Sequence, residues 1–426
     1  MKLFESDYFT YKNNQLYSDE IPVEEIIDSV GTPAFIYSKK FFTDRYNEFT
    51  KAFSGINHTI FYAVKSNSNL NVIKTFYDLG SGIDVNSAGE FYRAIKAGVS
   101  PGKMILTGVG KTAGEIKLGI ENNVKFIKAE SEQEVYLIDE IAAQLGKTAP
   151  LAIRVNPDVN PKTHPYISTG LAENKFGIDS KSAYKLFLKA AGLKNVKPLG
   201  IDMHIGSQIT SVEPYKEAVE KLAGMFQKLK SEGLELTHFD IGGGMGVKYK
   251  DETPFTPEEF AGALLPILNG LDCEVSFEPG RYLTANGGIL VTEVLYTKSN
   301  QKKNFIVVDA AMTDLLRPSI YGAYHHIQPA ELNGTAKDIT ADIVGPVCES
   351  GDFLAKGREI SGCRPGDKLA IFSAGAYAMV MASNYNGRRR PPEIIVDKDK
   401  FFVVRGRETY DHLLFDEEIK PGLFEK

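Results

Sequence analysis

The sequence has few cysteines, no excess of basic residues and no long apolar run. Its three cysteines, Cys273, Cys348 and Cys363, are odd in number and do not indicate a disulfide framework. A formal net charge of −6 provides no basic field to attract nucleic acid or an anionic membrane. The first ten residues are too polar for a signal peptide, and no apolar stretch is long enough to cross a bilayer. These absences predict a cytoplasmic protein that binds neither nucleic acid nor membranes.

The apolar residues that are present form short runs separated by helical patterns. The chain has 426 residues, 43% of them hydrophobic, which is enough for two domains with substantial cores. Eight runs rich in Val, Ile and Phe do not alternate with polar residues, as expected of strands buried on both faces of a parallel sheet. They are Thr59–Val64, Ile83–Val85, Met104–Leu106, Lys125–Ile127, Leu151–Val155, Leu199–Met203, Leu236–Ile241 and Cys273–Phe277.

The segments between these runs carry helix start signals. Four of them place a hydroxyl residue three positions before a glutamate, the spacing of a capping box, beginning at Ser87, Thr112, Ser131 and Thr256. Eight alternations of strand and helix predict a closed (β/α)8 barrel over residues 32–285, in the α/β class.

Beyond Arg281 helical periodicity is scarce, and short strands are separated by glycine, proline and charged turns. The predicted strands are Ile289–Tyr296, Phe305–Asp309, Ile343–Val347, Lys368–Phe372, Ile394–Val396 and Phe401–Val404. We therefore predict a β-rich second domain, a sandwich or barrel, formed by residues 286–426 together with residues 1–31.

Several polar residues and a glycine triplet follow the predicted barrel strands or lie near their ends; Asp84 lies in the second strand and Arg154 near the end of the fifth. Taken singly, each has an ordinary explanation: a lysine reaching solvent, a core histidine, a flexible glycine turn or a surface ion pair. Their positions argue otherwise, because all would lie at the C-terminal rim, where such barrels carry active sites and bind phosphate after strands 7 and 8. In chain order they are Lys65, Asp84, Arg154, His204, Gly242, Gly243, Gly244, Glu278 and Arg281.

This combination suits pyridoxal phosphate. Lys65 would form the Schiff base, and burial is expected to lower its pKa enough to keep the amine nucleophilic. The imidazole of His204 can stack on the pyridine ring, and Glu278 can keep the ring nitrogen protonated. Glycines let backbone amides approach a phosphate closely.

The motifs FYAVKSN, DVNSAGE, HIGSQ, GGGMG, EPGR, RPSIYGAYH, CESGD and GAYAMVMASNYNGR occur in this order, and the chain resembles the diaminopimelate decarboxylases. This family belongs to the barrel-fold pyridoxal-phosphate enzymes, with ornithine decarboxylase and alanine racemase. The resemblance covers residues 30–396. It implies a barrel plus a β domain, and a homodimer whose active sites lie between subunits.

The resemblance also implies roles for single residues. Lys65 bonds the cofactor, His204 stacks on it, and Cys348 donates a proton to the carbon that loses carbon dioxide, so that Lys65, His204 and Cys348 are the catalytic residues. Cofactor contacts are implied for Asp84, Arg154, Ser207, Gly242, Gly243, Gly244, Glu278, Pro279, Gly280, Arg281 and Tyr377. Substrate contacts are implied for Arg281, Arg317, Tyr321, Glu349 and Tyr377. No metal ligand is implied.

The substrate that the resemblance implies, meso-diaminopimelate, carries an ammonium and a carboxylate at its far end. A selective site must pair both, because an unpaired buried charge is costly. Arg281, Arg317 and Tyr321 can meet the carboxylate, and Glu349 can meet the ammonium. The predicted reaction yields L-lysine and carbon dioxide, the last step of lysine biosynthesis.

Three alternatives remain open from the residues. A related decarboxylase acting on D-lysine, D-ornithine or arginine would share most motifs, but the arginine pair argues against it. An amino-acid racemase would need a second base opposite Lys65, and CESGD argues against that. A non-catalytic protein that binds the cofactor would usually lack the lysine, the cysteine or the arginines, which are all present.

Overall fold

The computed structural model describes residues 3–4, 6–161, 163–164, 169–170, 174–332, 334 and 337–423. These residues form two compact units. One comprises residues 39–287 and 375–380, and the other comprises residues 1–38, 288–374 and 381–426.

The first unit is the predicted barrel. Eight parallel strands close on themselves, since the fourth pairs with both the third and the fifth and the eighth pairs with the first. Numbered here as barrel strands 1 to 8, they are His58–Ala63, Gly82–Val85, Met104–Leu106, Phe126–Ala129, Ala149–Asn156, Val196–Asp202, His238–Asp240 and Glu274–Phe277. A short strand, Ile178–Asp179, adds to the end of barrel strand 5. All eight predicted strands are confirmed.

Helices connect the barrel strands and begin where the sequence predicts. The side chains of Ser87, Thr112, Ser131 and Thr256 each accept a hydrogen bond from the backbone amide three residues ahead. This pairs amides of the first turn that have no partner within the helix. The helices of this unit are Lys39–Ala52, Leu70–Asp78, Ala88–Lys96, Ala113–Glu121, Glu132–Gln144, Ser180–Ala191, Glu213–Ser231, Pro257–Leu268 and Arg281–Thr284.

The second unit is β-rich. Its largest sheet runs in the order Phe353–Ser361, Asp338–Val344, Asn304–Val308, Gly288–Ser299, Ala34–Ser38, Glu393–Asp397 and Lys400–Arg405. Lys368–Ile371 pairs with Gly288–Ser299 and with Ile327–Pro329. A separate three-stranded sheet comprises Phe9–Lys12, Gln15–Ser18 and Ile21–Pro22. The helices are Val23–Val30, Arg317–Tyr321 and Tyr410–Leu413.

The boundaries between the two units differ from the predicted ones at residues 31 and 285. The strand Ala34–Ser38 lies in the β-rich unit because it pairs with Gly288–Ser299 on one side and Glu393–Asp397 on the other. Residues 375–380 cluster with the barrel, where the Asn67 side chain donates to the Gly375 oxygen. Within the described ranges, no helix combines the length and apolarity that a membrane span requires.

Candidate active site

Lys65 stands at the exit of barrel strand 1, within the short turn Val64–Ser66. Its Nζ lies 3.6 Å from Oδ2 of Asp84, and about a third of its side chain (35%) is exposed. Asp84 comes from barrel strand 2, is fully buried, and has no hydrogen-bond partner at either carboxylate oxygen among the described residues. The pair therefore brings an accessible amine to a buried carboxylate.

The pKa of Lys65 corrects one expectation. Burial lowers this pKa, as predicted, but the negative charges of Asp84 and Glu278 raise it more, and the net pKa lies above that of an ordinary lysine. The sequence prediction was wrong here because it counted desolvation and left out the carboxylates that face the amine.

Glu278, directly after barrel strand 8, is buried in a cluster that the sequence prediction missed. Lys128, in barrel strand 4, has a fully buried side chain whose Nζ lies 2.7 Å from both Asp202 and Asp240 and also bonds Oε1 of Glu278. Burial and the neighbouring carboxylates hold the pKa of Glu278 well above its usual range, although Lys128 opposes them. The sequence did contain a signal for this cluster: a lysine inside a strand that is otherwise apolar and buried on both faces.

His204 follows barrel strand 6, and its Nδ1 accepts a hydrogen bond of 3.1 Å from the Gly243 amide. An acceptor at Nδ1 carries no proton, so the ring is neutral with its proton on Nε2. Burial, followed by the positive charges of Lys65 and Arg154, lowers the pKa of His204 well below its usual range. The imidazole is therefore fixed in one neutral tautomer.

The glycine loop after barrel strand 7 is tightly packed. A Cβ added to Gly242, Gly243 or Gly244 would lie 2.3 Å, 2.1 Å or 2.2 Å from the oxygens of Met203, Glu278 and Gly206 respectively. A Cβ on Gly280 would lie 2.9 Å from the Ser66 side chain. The triple glycine lets the loops after strands 6, 7 and 8 meet backbone to backbone, which fixes where their amides point, and Gly280 lets the loop after strand 8 pack against the Ser66 side chain.

Arg281 links the loops after strands 6 and 8. Its guanidinium donates to the Ser207 hydroxyl at 3.0 Å and to the Tyr249 hydroxyl at 2.6 Å. It also lies 4.6 Å from the centre of the Tyr377 ring. The backbone of Tyr377 is left-handed, with φ of 53°, and its amide bonds the Ser66 oxygen at 2.8 Å. The structure thus joins Ser207, Arg281 and Tyr377, and adds Tyr249.

Arg154, on barrel strand 5, is held by Glu130 at 2.9 Å. Its guanidinium lies over the Phe176 ring at 4.9 Å and within 4.0 Å of Asp202. Pro279 closes the same rim, because its oxygen accepts from the Ala63 amide at 3.3 Å.

The other predicted residues belong to the β-rich unit. Arg317 is buried and donates to Nε2 of His325 at 2.8 Å, and Tyr321 ends the same short helix. Cys348 and Glu349 are exposed in one turn, and the Cys348 amide bonds Asn386 at 2.8 Å.

This turn is held by Asp352, the last residue of the motif CESGD. The carboxylate of Asp352 accepts from the amides of Met312 at 2.6 Å and Val347 at 2.7 Å. The aspartate of the motif is therefore a structural residue, and it fixes the turn that carries Cys348.

The barrel residues fit pyridoxal phosphate. Asp84 and Glu278 are buried carboxylates near an accessible lysine, as a cofactor with an aldehyde and a basic ring nitrogen requires. The packed glycine loop, Ser207 and Arg281 offer donors of the kind that bind phosphate. The three carboxylates Asp202, Asp240 and Glu278 lie close enough to hold a metal ion, but the Lys128 ammonium is bonded to all of them.

Comparison with known proteins gives the family. Residues 40–285 match the model of the pyridoxal binding domain of pyridoxal-dependent decarboxylases. The chain is 44% identical to the diaminopimelate decarboxylase of Aquifex aeolicus over 409 residues, 96% of both chains. It is also 44% identical to the diaminopimelate decarboxylase of Vibrio cholerae, covering 97% of this chain and 100% of that one.

Solved structures agree. Diaminopimelate decarboxylase from Helicobacter pylori, complexed with L-lysine, superposes with a TM-score of 0.89 at 41% identity, over 92% of this chain and 98% of that one. The M. jannaschii diaminopimelate decarboxylase with L-lysine gives 0.93 at 37% identity, over 98% and 99%. A lysine decarboxylase from Selenomonas ruminantium is more distant, with a TM-score of 0.79 at 25% identity over 89% and 96%.

Proposed function

The chain belongs to the diaminopimelate decarboxylases, a family of pyridoxal-dependent enzymes, and we propose that it converts meso-2,6-diaminopimelate to L-lysine and carbon dioxide. The observation that carries this proposal is the Lys65 amine, 3.6 Å from the buried Asp84 in a barrel mouth lined by His204 and Glu278. In this role the enzyme catalyses the last step of lysine biosynthesis.

Pyridoxal phosphate supplies a ring that takes up the electron pair left when the carboxyl group departs. The chain's residues bind and orient that ring. Lys65 would bond the aldehyde, and Glu278 would face the ring nitrogen. Ser207, Arg281 and the glycine loop would hold the phosphate, which is supported by their lying together in the loops after strands 6, 7 and 8.

His204 has a role that its tautomer supports. Because the Gly243 amide occupies Nδ1, the ring stays neutral and can lie flat against a pyridine ring without placing a second cation there. An imidazolium at this point would weaken the positive charge that the ring nitrogen needs. The backbone bond therefore favours stacking over proton transfer as the function of His204.

Recognition of the substrate is assigned to Arg281, Arg317, Tyr321, Glu349 and Tyr377. Arg317 is buried and oriented by His325, as expected of a guanidinium that must meet a carboxylate in a fixed direction. The exposed Glu349 can bind an ammonium. A substrate that carries both charges at its far end would satisfy both residues.

We assign to Cys348 the role of donating the proton that replaces the departing carboxyl group. When carbon dioxide leaves, its bonding electrons stay behind, and the carbon must then take up one proton, here from the Cys348 thiol. The exposed position of Cys348, in a turn fixed by Asp352, supports this role. Cys348→Ala should keep the cofactor's visible absorbance but slow turnover by orders of magnitude.

We further propose a homodimer in the cytoplasm whose active sites use residues of both subunits. Large apolar side chains of the C-terminal segment are strongly exposed, including Phe415 at 77% and Ile419 at 84%, which supports burial against a second copy. Mixing a Lys65→Ala subunit with a Cys348→Ala subunit should restore part of the activity. Mixed dimers that form but stay inactive would refute the shared site.

The test of the reaction is product analysis. Purified protein is supplied with meso-diaminopimelate, and in parallel with D-lysine, D-ornithine, arginine and alanine. We expect L-lysine and carbon dioxide from the first at the highest kcat/KM. Faster turnover of another basic amino acid would overturn the substrate, racemised alanine without carbon dioxide would indicate a racemase, and cofactor binding without turnover would indicate a non-catalytic protein.

A further inference from the structure

Lys128 is an unusual residue for the interior of a barrel. Its side chain is fully buried, and its ammonium is shared by carboxylates from three different strands or their ends. Asp202 ends barrel strand 6, Asp240 ends barrel strand 7, and Glu278 follows barrel strand 8. A single ammonium has three protons to donate, and here each carboxylate takes one.

The charges in this cluster do not balance. Four buried carboxylates, Asp84, Asp202, Asp240 and Glu278, face two ammonium groups, Lys65 and Lys128, which leaves two negative charges in excess when all are ionised. Among the described residues, the other charged groups around the cluster do not supply the difference. Arg154 lies 4.0 Å from Asp202 but is paired more closely with Glu130 at 2.9 Å, so these two charges cancel. Lys111 is paired with Glu134, His204 is neutral, and Glu90 is a further carboxyl group near Asp84.

A cofactor that carries a phosphate brings further negative charge to this mouth. Like charges in a poorly solvated site repel strongly, because little water screens them. Without Lys128, Asp240 and Glu278 would lose the ammonium that bonds them, and Asp202 would keep only the more distant Arg154, 4.0 Å away. Lys128 bonds Oε1 of Glu278, so this carboxylate is held in place through one of its oxygens.

We propose that Lys128 is a positioning residue for the cofactor. Its ammonium compensates part of the negative charge of the buried carboxylates, so that an anionic cofactor can bind close to them. The same ammonium holds the Glu278 carboxylate in position for the ring nitrogen. This inference rests on the proposed function, because it requires that pyridoxal phosphate binds at Lys65.

The test is the dissociation constant of pyridoxal phosphate for the full-length protein, measured by absorbance titration without substrate. At about pH 8.5, Lys128→Met should weaken binding by roughly tenfold or more, the size expected for one uncompensated charge in a buried site. At about pH 6 the loss should shrink to within about threefold, because protons taken up by the carboxylates replace the missing ammonium. The protonation state of the free cofactor changes with pH in the same way for both proteins. Its effect therefore cancels when the dissociation constant of the variant is divided by that of the wild type.

Two further variants separate charge from packing. Asp202→Asn removes one negative charge while keeping an acceptor for Lys128, and it should bind the cofactor at least as tightly as the wild type at about pH 8.5. Added to Lys128→Met, the same change should recover much of the lost affinity. Lys125→Met is the matched control, since Lys125 directly precedes the same strand, at its opposite end, and pairs with Glu274 at 2.6 Å. Its dissociation constant should equal that of the wild type.

A loss in Lys128→Met that is the same at both pH values would show a packing role and overturn the inference. Weaker binding by Asp202→Asn would overturn it as well, even if Lys128→Met fails to fold. These outcomes leave the proposed function intact as long as the wild type binds pyridoxal phosphate and forms lysine. A wild type that binds none would refute both.

Discussion

Gly243→Ala tests whether the close packing of the strand 7 and strand 8 loops sets the active-site geometry. The change adds one methyl group at a position where a Cβ would lie 2.1 Å from the backbone oxygen of Glu278 and 3.0 Å from its carbonyl carbon. Neither of these atoms is the end of a flexible side chain. The two loops must therefore move apart.

The size of the effect follows from these distances. Ordinary contact begins at about 3.4 Å, so the Glu278 backbone must retreat by roughly 1 Å, and misplacement by that amount costs about 100-fold in rate. The hydrogen bond from the Gly243 amide to His204, now 3.1 Å, would lengthen as well. Overpacking of this kind also costs about 1–3 kcal/mol in the free energy of unfolding.

The assay compares kcat/KM for lysine formation and the dissociation constant of pyridoxal phosphate with the urea-induced unfolding of the same samples. Gly262→Ala is the control, because Gly262 lies in the helix Pro257–Leu268 and no atom of the described residues comes within 4 Å of an added Cβ beyond the immediate helix backbone. It should leave activity unchanged and stabilise the protein by up to about 1 kcal/mol. A folded Gly243→Ala variant with wild-type kcat/KM would refute the reasoning.

Three other predictions follow from single residues. Phe277→Ala should lower the free energy of unfolding by about 3–5 kcal/mol, because this ring is 1% exposed and lies 4.4 Å from the Phe53 ring; a loss below about 1 kcal/mol in urea melts would contradict tight packing there. Burial, followed by the Arg358 charge, lowers the pKa of His326 to about 4. The unfolded chain therefore takes up this proton at a higher pH than the folded protein does, and the free energy of unfolding should fall as the pH drops from about 6.5 towards 4. His326→Gln should reduce that slope in pH-dependent melts, and an unchanged slope would exclude this histidine. Asp352→Ala leaves the buried Val347 amide without its acceptor, and it should lower kcat while keeping the visible absorbance of the bound cofactor. An unchanged kcat would show that the turn carrying Cys348 is not needed for catalysis.

The barrel was predictable because its strands are short apolar runs separated by capped helices. Buried on both faces, the strands are mostly apolar along their length, and four of the helix starts show a hydroxyl three residues before a glutamate. The β-rich unit was less predictable. The strand Phe353–Ser361 was missed because Lys356, Gly357 and Arg358 interrupt its pattern, and Ala34–Ser38 was assigned to the barrel because only its pairing places it elsewhere.

The predicted site residues of the barrel, from Lys65 to Arg281, lie near the C-terminal ends of its strands or in the loops that follow, because parallel strands deliver their ends to one rim. The sequence does not reveal which charges face each other inside the barrel. Lys128 was overlooked for this reason, and the pKa of Lys65 was predicted in the wrong direction. Both depend on distances between residues far apart in the chain.

The most direct test of the account is to find which amine holds the cofactor. Borohydride reduction of the holoenzyme locks pyridoxal phosphate onto the lysine that carries it, and peptide mass mapping then locates the added mass. We predict a single modified peptide with the mass on Lys65. Modification of a different lysine, or none in protein that still turns over meso-diaminopimelate, would contradict the account.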